Sequence, residues 1–246
     1  MDAASRLWEI DGARGIAILM MVLFHTLFDM SFFSLYPVNV TTGFWRYFAY
    51  ATASLFLLIV GISLVVSHAR AAAQLTGFSL VRKYLLRGAG IFALGLLVTF
   101  ATWLYLHEGY VIFGILHLIG VSVILSVLFF RFKKLNILLG LACIGMGYLV
   151  SGISGPVFLL PLGITPPGFT SVDYTPIFPW FGMVLIGMGV GEILYKEGVR
   201  QFSLRPLAAF FRAPFTFLGR YSLVIYLVHQ PIIILLLALV TGTKVL

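Results

Sequence analysis

An imidazole and a carboxylate stand at positions where a lipid bilayer should exclude both. Residues 14–36 read RGIAILMMVLFHTLFDMSFFSLY, long and apolar enough to cross a membrane, yet His25 lies near the middle with Asp29 one helical turn beyond it. Ionisable groups at such depth are costly, face a protein interior, and mark a transport path or a reaction centre. The i, i+4 spacing puts both side chains on one helix face. Arg14, eleven residues before His25, falls within about 20° of that face at 3.6 residues per turn. One stripe thus runs from a guanidinium at the membrane surface to an imidazole in the core. A neutral imidazole there can act as a general base or a nucleophile, and Asp29 could orient its ring and steady the imidazolium. The structural alternative is a buried His–Asp pair that only fixes helix register.

Other polar groups lie in apolar surroundings. His117, in FGILHLIG, enters its span from the opposite end, about 10 Å below the boundary at helical rise and at a depth similar to that of His25. Ser222, Tyr226 and His229, at i, i+4 and i+7, form a polar face on the last apolar segment, followed by Gln230 and Pro231. His117 or Tyr226 could donate a hydrogen bond to a developing oxyanion, and His229 could equally be an interhelical donor. Ser54 and Ser63 read as hydroxyls that satisfy their own helix. His68 and His107 read as solvated residues at span ends. The glycines at 182, 187, 189 and 191 read as points of close helix approach.

These residues need elements that hold them. Of the 246 residues, 61% are hydrophobic and only 10% charged, against about 25% charged in soluble domains, and the mean hydropathy is +1.08. The chain reads as an all-α polytopic membrane helix bundle, a single transmembrane domain over residues 1–246. About seven spans are expected, near 14–36, 47–67, 85–106, 110–130, 135–153, 176–195 and 221–241. Asp2, Glu9 and Asp11 occupy the place where a cleavable signal would be basic. All 16 Lys and Arg except Arg46 and Lys244 fall on the side that holds the N-terminus and the loops after the second, fourth and sixth spans. That asymmetry predicts a cytoplasmic N-terminus and an outer C-terminus. It also accounts for the formal charge of +8, since no basic face with interleaved aromatics suggests nucleic acid.

The 154–175 connection, rich in Gly and Pro, is expected on or partly within the membrane. RPLAAFFRAPF, within 196–220, suits an interfacial helix. Asn39-Val40-Thr41 matches a glycosylation sequon, a pattern common by chance. The single cysteine, Cys143, excludes an intrachain disulfide framework, and no spacing suggests a metal site.

Several segments together resemble a known family. EIDGARGIAILMMVLFHTLFD is similar to the first-helix motif of membrane acyltransferases, with Arg14 and His25 separated by ten residues. FLLIVGISL, FGILHLIG, DYTPIFPWFGMVLIGMGVGEILY and LGRYSLVIYLVHQP extend the likeness in order along nearly the whole chain. They resemble the compact prokaryotic branch of the heparan-alpha-glucosaminide N-acetyltransferase catalytic family. The resemblance implies acetyl transfer from cytoplasmic acetyl-CoA to an amine or hydroxyl on the opposite face, an amino sugar or related glycan. The catalytic role implied for the first-helix histidine maps onto His25. The resemblance further implies a prokaryotic plasma membrane location and a homodimer. The lysosomal member has eleven spans and a luminal domain, so its heparan substrate does not carry over.

On that reading the catalytic set is His25, Asp29 and His117, with acetyl-CoA as co-substrate and no metal. Arg14, Arg82, Lys83, Arg87 and Arg220 offer a cationic mouth for its phosphates, and Ser222, Tyr226 and His229 are assigned to the donor's path. Direct transfer to the acceptor and transfer through an acetyl-His25 both remain open. A proton-coupled transporter using His25, Asp29 and His117 as a relay is the rival function, and a scaffold with buried polar glue is a third.

Overall fold

The computed structural model describes residues 7–204 and 208–242, so Arg6, Arg205 and Lys244 of the charge asymmetry lie outside the described residues. Among the described residues it contains eight α-helices and no β-strand beyond one isolated bridge between Ser154 and Thr165. The helices are α1 (Trp8–Phe32), α2 (Gly43–Ala72), α3 (Gly77–Leu106), α4 (Ile115–Phe129), α5 (Asn136–Val150), α6 (Ile177–Leu194), α7 (Ala209–Arg220) and α8 (Ser222–Thr241).

Each of the seven apolar segments read from the sequence is a helix. By length and composition, however, six helical stretches qualify as membrane spans, because α4 and α5 belong to one 36-residue stretch, Ile115–Val150. Each is only 15 residues, short of the ~20 a bilayer needs alone. A 3-10 turn over Phe130–Leu135 separates them, with Lys133 at φ 47° and the Asn136 side-chain Nδ2 donating to the Phe129 carbonyl (3.0 Å).

The chain forms two compact units. The first comprises residues 1–56 and 204–246; the second comprises residues 57–203. Helix α2 begins in the first and ends in the second.

In the first unit α1 packs along α7 and α8. Close approach of α1 and α7 depends on glycine. A Cβ on Gly219 would fall on the Asp11 carbonyl, and one on Gly15 would fall on the Phe215 carbonyl. The pairing of 11 with 219 and 15 with 215 runs the two segments antiparallel, backbone against backbone. Gly12, by contrast, has nothing within 4 Å of its would-be Cβ. Gly219→Ala is therefore expected to cost at least about 2 kcal/mol through overpacking, read as a lower thermal midpoint in detergent, whereas Gly12→Ala is expected to be neutral or slightly stabilising. Helix α7, the segment expected to be interfacial, is amphipathic and exposes Phe210, Phe211 and Phe217. Asn39 is a turn residue: its Oδ1 accepts from the amides of Thr41 and Thr42 and from the Thr41 hydroxyl.

In the second unit α3 pairs with α4, and α5 with α6. The same device recurs at Gly88 with Gly120, Gly140 with Gly182, and Gly61 with Gly187, each glycine lying against backbone of the opposing helix. The glycines read as contact points thus serve as such. The 154–175 connection folds on itself. The Gly155 amide donates to the Thr165 carbonyl (3.1 Å) and the Tyr174 hydroxyl to the Leu160 carbonyl (2.7 Å), while Leu160 is buried. Burial pushes the Tyr174 phenol up to about 12, so it remains a donor throughout the physiological range. His68, expected to be solvated, instead stacks on Phe130 with ring centroids 3.9 Å apart. His107 is exposed, as expected of a span end.

The outward faces are apolar. Leu96, Leu97 and Phe100 on α3, and Leu235, Leu236 and Leu239 on α8, are exposed, the pattern of helices that meet lipid rather than water.

Candidate active site

The first unit gathers the stripe of α1 and the polar face of α8 into one array. His25 Nδ1 lies 2.6 Å from His229 Nε2, and His229 Nδ1 lies 2.6 Å from the backbone carbonyl of Tyr226. The two imidazoles are within 17° of parallel with centroids 4.8 Å apart. That separation nearly equals the N···N distance plus two ring radii. The rings therefore meet edge to edge, nitrogen facing nitrogen.

A carbonyl oxygen can only accept, which sets the tautomers. His229 must donate through Nδ1, and its neutral ring then presents a bare Nε2. His25 must donate to that nitrogen through Nδ1. The lone pair of His25 is left on Nε2, outside the chain of hydrogen bonds. Two rings and a carbonyl thus select which atom of His25 can take a proton or attack. His25 itself is half-buried.

Asp29 does not orient that ring. Its Oδ1 accepts from the Gln230 amide at 2.7 Å, and the residue is 2% exposed. The physical reason is the shared face: side chains at i and i+4 of α1 both point toward α8, where His229 and Gln230 meet them one each. Neither Asp29 Oδ2 nor Gln230 Oε1, both shut off from solvent, has a hydrogen-bond partner among the described residues. Pro231 follows directly and supplies no N–H to the Leu227 carbonyl, so the helix backbone is locally one bond short beside these groups.

Toward the start of α1 a second array forms. Arg14 Nη1 donates to Asp11 Oδ1 at 3.1 Å and lies 3.4 Å from the Gly219 carbonyl, while Arg220 Nε is 3.8 Å from Asp11 Oδ2. One carboxylate therefore restrains two guanidinium groups at the junction of α7 and α8. Ser222, the first residue of α8, is buried just beyond it, and the Tyr226 ring lies 5.5 Å from that of His229. A shallow cleft of about 630 Å³, lined by Ser31, Ser34, Tyr36, Asn39 and Thr41 among others, follows the C-terminal end of α1; neither His25 nor Asp29 lines it.

The remaining expected site residues belong to the second unit. Arg82, Lys83 and Arg87 are exposed in the first turns of α3. His117 is 1% exposed and caps its own helix, its Nδ1 accepting from the Gly114 amide at 3.2 Å. Its Nε2 must then carry the proton, and Thr99 Oγ1 lies 3.4 Å from it. Phe92 and Phe113 flank the ring, and a Cβ on Gly95 would stand 3.0 Å from it. These are the contacts of a helix cap. Asp173 adds to the same cap, its Oδ2 accepting from the Ile115 amide at 3.1 Å and its Oδ1 from the Thr175 hydroxyl at 2.9 Å.

Two of these groups had signals in the sequence, and a third had none. Asp11 stands three residues before Arg14, a helical ion-pair spacing. Gln230 adjoins His229. Asp173 had no local signal, because its partner lies 58 positions away.

Compared with known families, residues 6–231 match the model of the heparan-alpha-glucosaminide N-acetyltransferase catalytic domain. The chain belongs to that family. The match covers both units and every residue of the two arrays in the first unit. Membership and six apolar helical stretches together make the protein an integral membrane protein of an acetyltransferase family. No curated protein and no solved structure matches the chain.

Proposed function

We propose that this protein is a transmembrane acetyltransferase. It moves an acetyl group from cytoplasmic acetyl-CoA to an amine or hydroxyl on the outer face of a prokaryotic plasma membrane, with His25 Nε2 as the reactive atom. The observation that carries the proposal is the chain from the Tyr226 carbonyl through His229 to His25, which leaves one unshared lone pair on an intramembrane imidazole.

Acyl transfer needs a base for the acceptor's proton. As His25 Nε2 takes that proton, the one on Nδ1 moves toward His229 Nε2, and positive charge spreads over two rings. The Tyr226 carbonyl, facing His229 Nδ1–H, stabilises that charge. His229 thus does for His25 what a carboxylate does in a hydrolytic triad. An acetyl-His25 route would use the same nitrogen.

On the donor side, Asp11 holds the Arg14 and Arg220 forks at one end of the α1 stripe, leaving a net positive charge for phosphates. Arg14 to His25 spans about 16 Å of helix, a length suited to an extended thioester arm. The orientation follows from the positive-inside asymmetry. His117 is assigned a structural part in this mechanism.

The test is purified protein with labelled acetyl-CoA and a panel of amines and sugars. Acetyl-CoA is expected to raise the thermal midpoint, and Arg14→Ala to weaken its binding about tenfold through loss of a charged hydrogen-bond donor. Absence of any acetyl-CoA affinity overturns the proposal. Proton-coupled flux in vesicles without such affinity would support the relay reading instead.

A further inference from the structure

The second unit carries its cations at one end. Nine of the Lys and Arg lie within residues 57–203, with four carboxylates. Glu108 follows the end of α3 and Asp173 caps the start of α4, both at the opposite end, which leaves Glu192 and Glu197. A ring cluster gathers the charged segments. Phe130 stacks on His68 of α2 and meets the buried Tyr84 ring of α3, centroids 5.2 Å apart. Arg82 and Lys83 therefore stand level with the Phe130–Leu135 turn, which holds Arg131, Lys133 and Lys134, all exposed, within four residues. That turn is firmly seated. The buried Asn136 closes it on the Phe129 carbonyl, and the Lys134 carbonyl lies against Gly189 of α6. The Arg131 guanidinium is held 4.7 Å over the Phe132 ring. None of the turn's three cations is in an ion pair among the described residues.

Directly beyond the cations the surface is apolar. Leu135, Leu138 and Leu141, three residues apart, are each more than half exposed. Helices α4 and α5, of 15 residues each, rise only about 22 Å, less than the ~30 Å of a hydrocarbon core. Their turn is therefore kept at headgroup depth instead of projecting clear of the membrane. We propose that this turn binds an anionic phospholipid of the cytoplasmic leaflet. Its phosphate lies on Arg131, Lys133 and Lys134, and an acyl chain follows Leu135, Leu138 and Leu141. Charge complementarity selects the class. A zwitterionic lipid offers the same chain, but its own ammonium already compensates the phosphate; a soluble phosphate has the charge and no chain to lay on the leucines. Because the turn is held in place before the lipid arrives, little ordering cost opposes binding. The site is independent of the acetyl-transfer chemistry and makes the stability of the second unit depend on the lipid composition around it.

The experiment is a thermal-shift titration of the full-length protein in detergent with three probes. They are phosphatidylglycerol, phosphatidylcholine with the same acyl chains, and glycerol 3-phosphate. Phosphatidylglycerol is expected to raise the midpoint at concentrations where the other two do not. The triple variant Arg131→Gln, Lys133→Gln, Lys134→Gln is expected to need at least about tenfold more phosphatidylglycerol for the same shift, with its response to acetyl-CoA unchanged. Lys133→Arg with Lys134→Arg keeps the charge and is expected to respond as wild type does. The assignment is overturned if the two lipids act alike, if glycerol 3-phosphate suffices, or if the glutamine variant responds as wild type does. It is equally overturned if the arginine variant loses the response. Size-exclusion chromatography of the same samples covers a second copy as the occupant: a glutamine variant that changes oligomeric state while keeping its lipid response would make this face an interface between copies. The headgroup comparison on the wild type stands whether or not the glutamine variant folds.

Discussion

Replacing His25 by alanine is expected to lower acetyl transfer by about 10³-fold while acetyl-CoA continues to stabilise the protein. The magnitude is that of losing a positioned general base or nucleophile. Binding survives because the cationic groups assigned to the phosphates lie about 16 Å away along the helix and depend on Asp11, not on the imidazole. The check is a single-turnover assay with labelled acetyl-CoA beside a thermal-shift titration on the same preparation. A variant that keeps a tenth of wild-type turnover would remove His25 from the reaction.

The second large effect belongs to His229. It touches no substrate in this scheme; it holds His25 in one tautomer and accepts part of its charge. His229→Ala is expected to reduce turnover roughly 10- to 100-fold, the range found when the partner orienting another functional histidine is removed. A loss confined to turnover, with KM for acetyl-CoA little changed, separates positioning from binding. His229→Gln is the sharper variant, since its amide oxygen can stand near the place of Nε2 and accept from His25 Nδ1. Partial recovery in glutamine, absent in alanine and leucine, is the expected signature. If glutamine and leucine behave alike, hydrogen bonding to His25 is not what His229 supplies.

Much of the architecture was legible because lipid imposes a simple rule on composition. Each apolar segment expected to span is a helix, and the face joining His25 to Asp29 follows from spacing alone. Helix limits were less legible, since hydropathy marks where lipid is met and not where hydrogen bonding stops. Helix α1 starts at Trp8 through Glu9 and Asp11, and closes before Tyr36 because Ser34 takes φ 56°. Helix α3 likewise begins at Gly77, well before the apolar run, through Arg82, Lys83 and Arg87. Partner choice was not legible at all. Spacing shows that Asp29 and His25 share a face, but which of His229 and Gln230 each meets depends on how α8 lies against α1, a tertiary matter. His117 illustrates the same gap: an imidazole in an apolar segment invites a catalytic role, and its acceptance of a hydrogen bond from the Gly114 backbone amide could not be read from spacing.

The reciprocal glycine crossings bear on how such a bundle can move. Where two helix backbones touch with no side chains between them, there are no teeth to re-mesh, so one helix can change its tilt about that point without any rotamer flip. Sliding by a residue would instead drive a neighbouring Cβ into a carbonyl. Each of the three glycine pairs in the second unit is therefore a point of rocking that forbids translation, whereas Gly15 against Phe215 and Gly219 against Asp11 hold α1 and α7 at two points and fix both their tilt and their register.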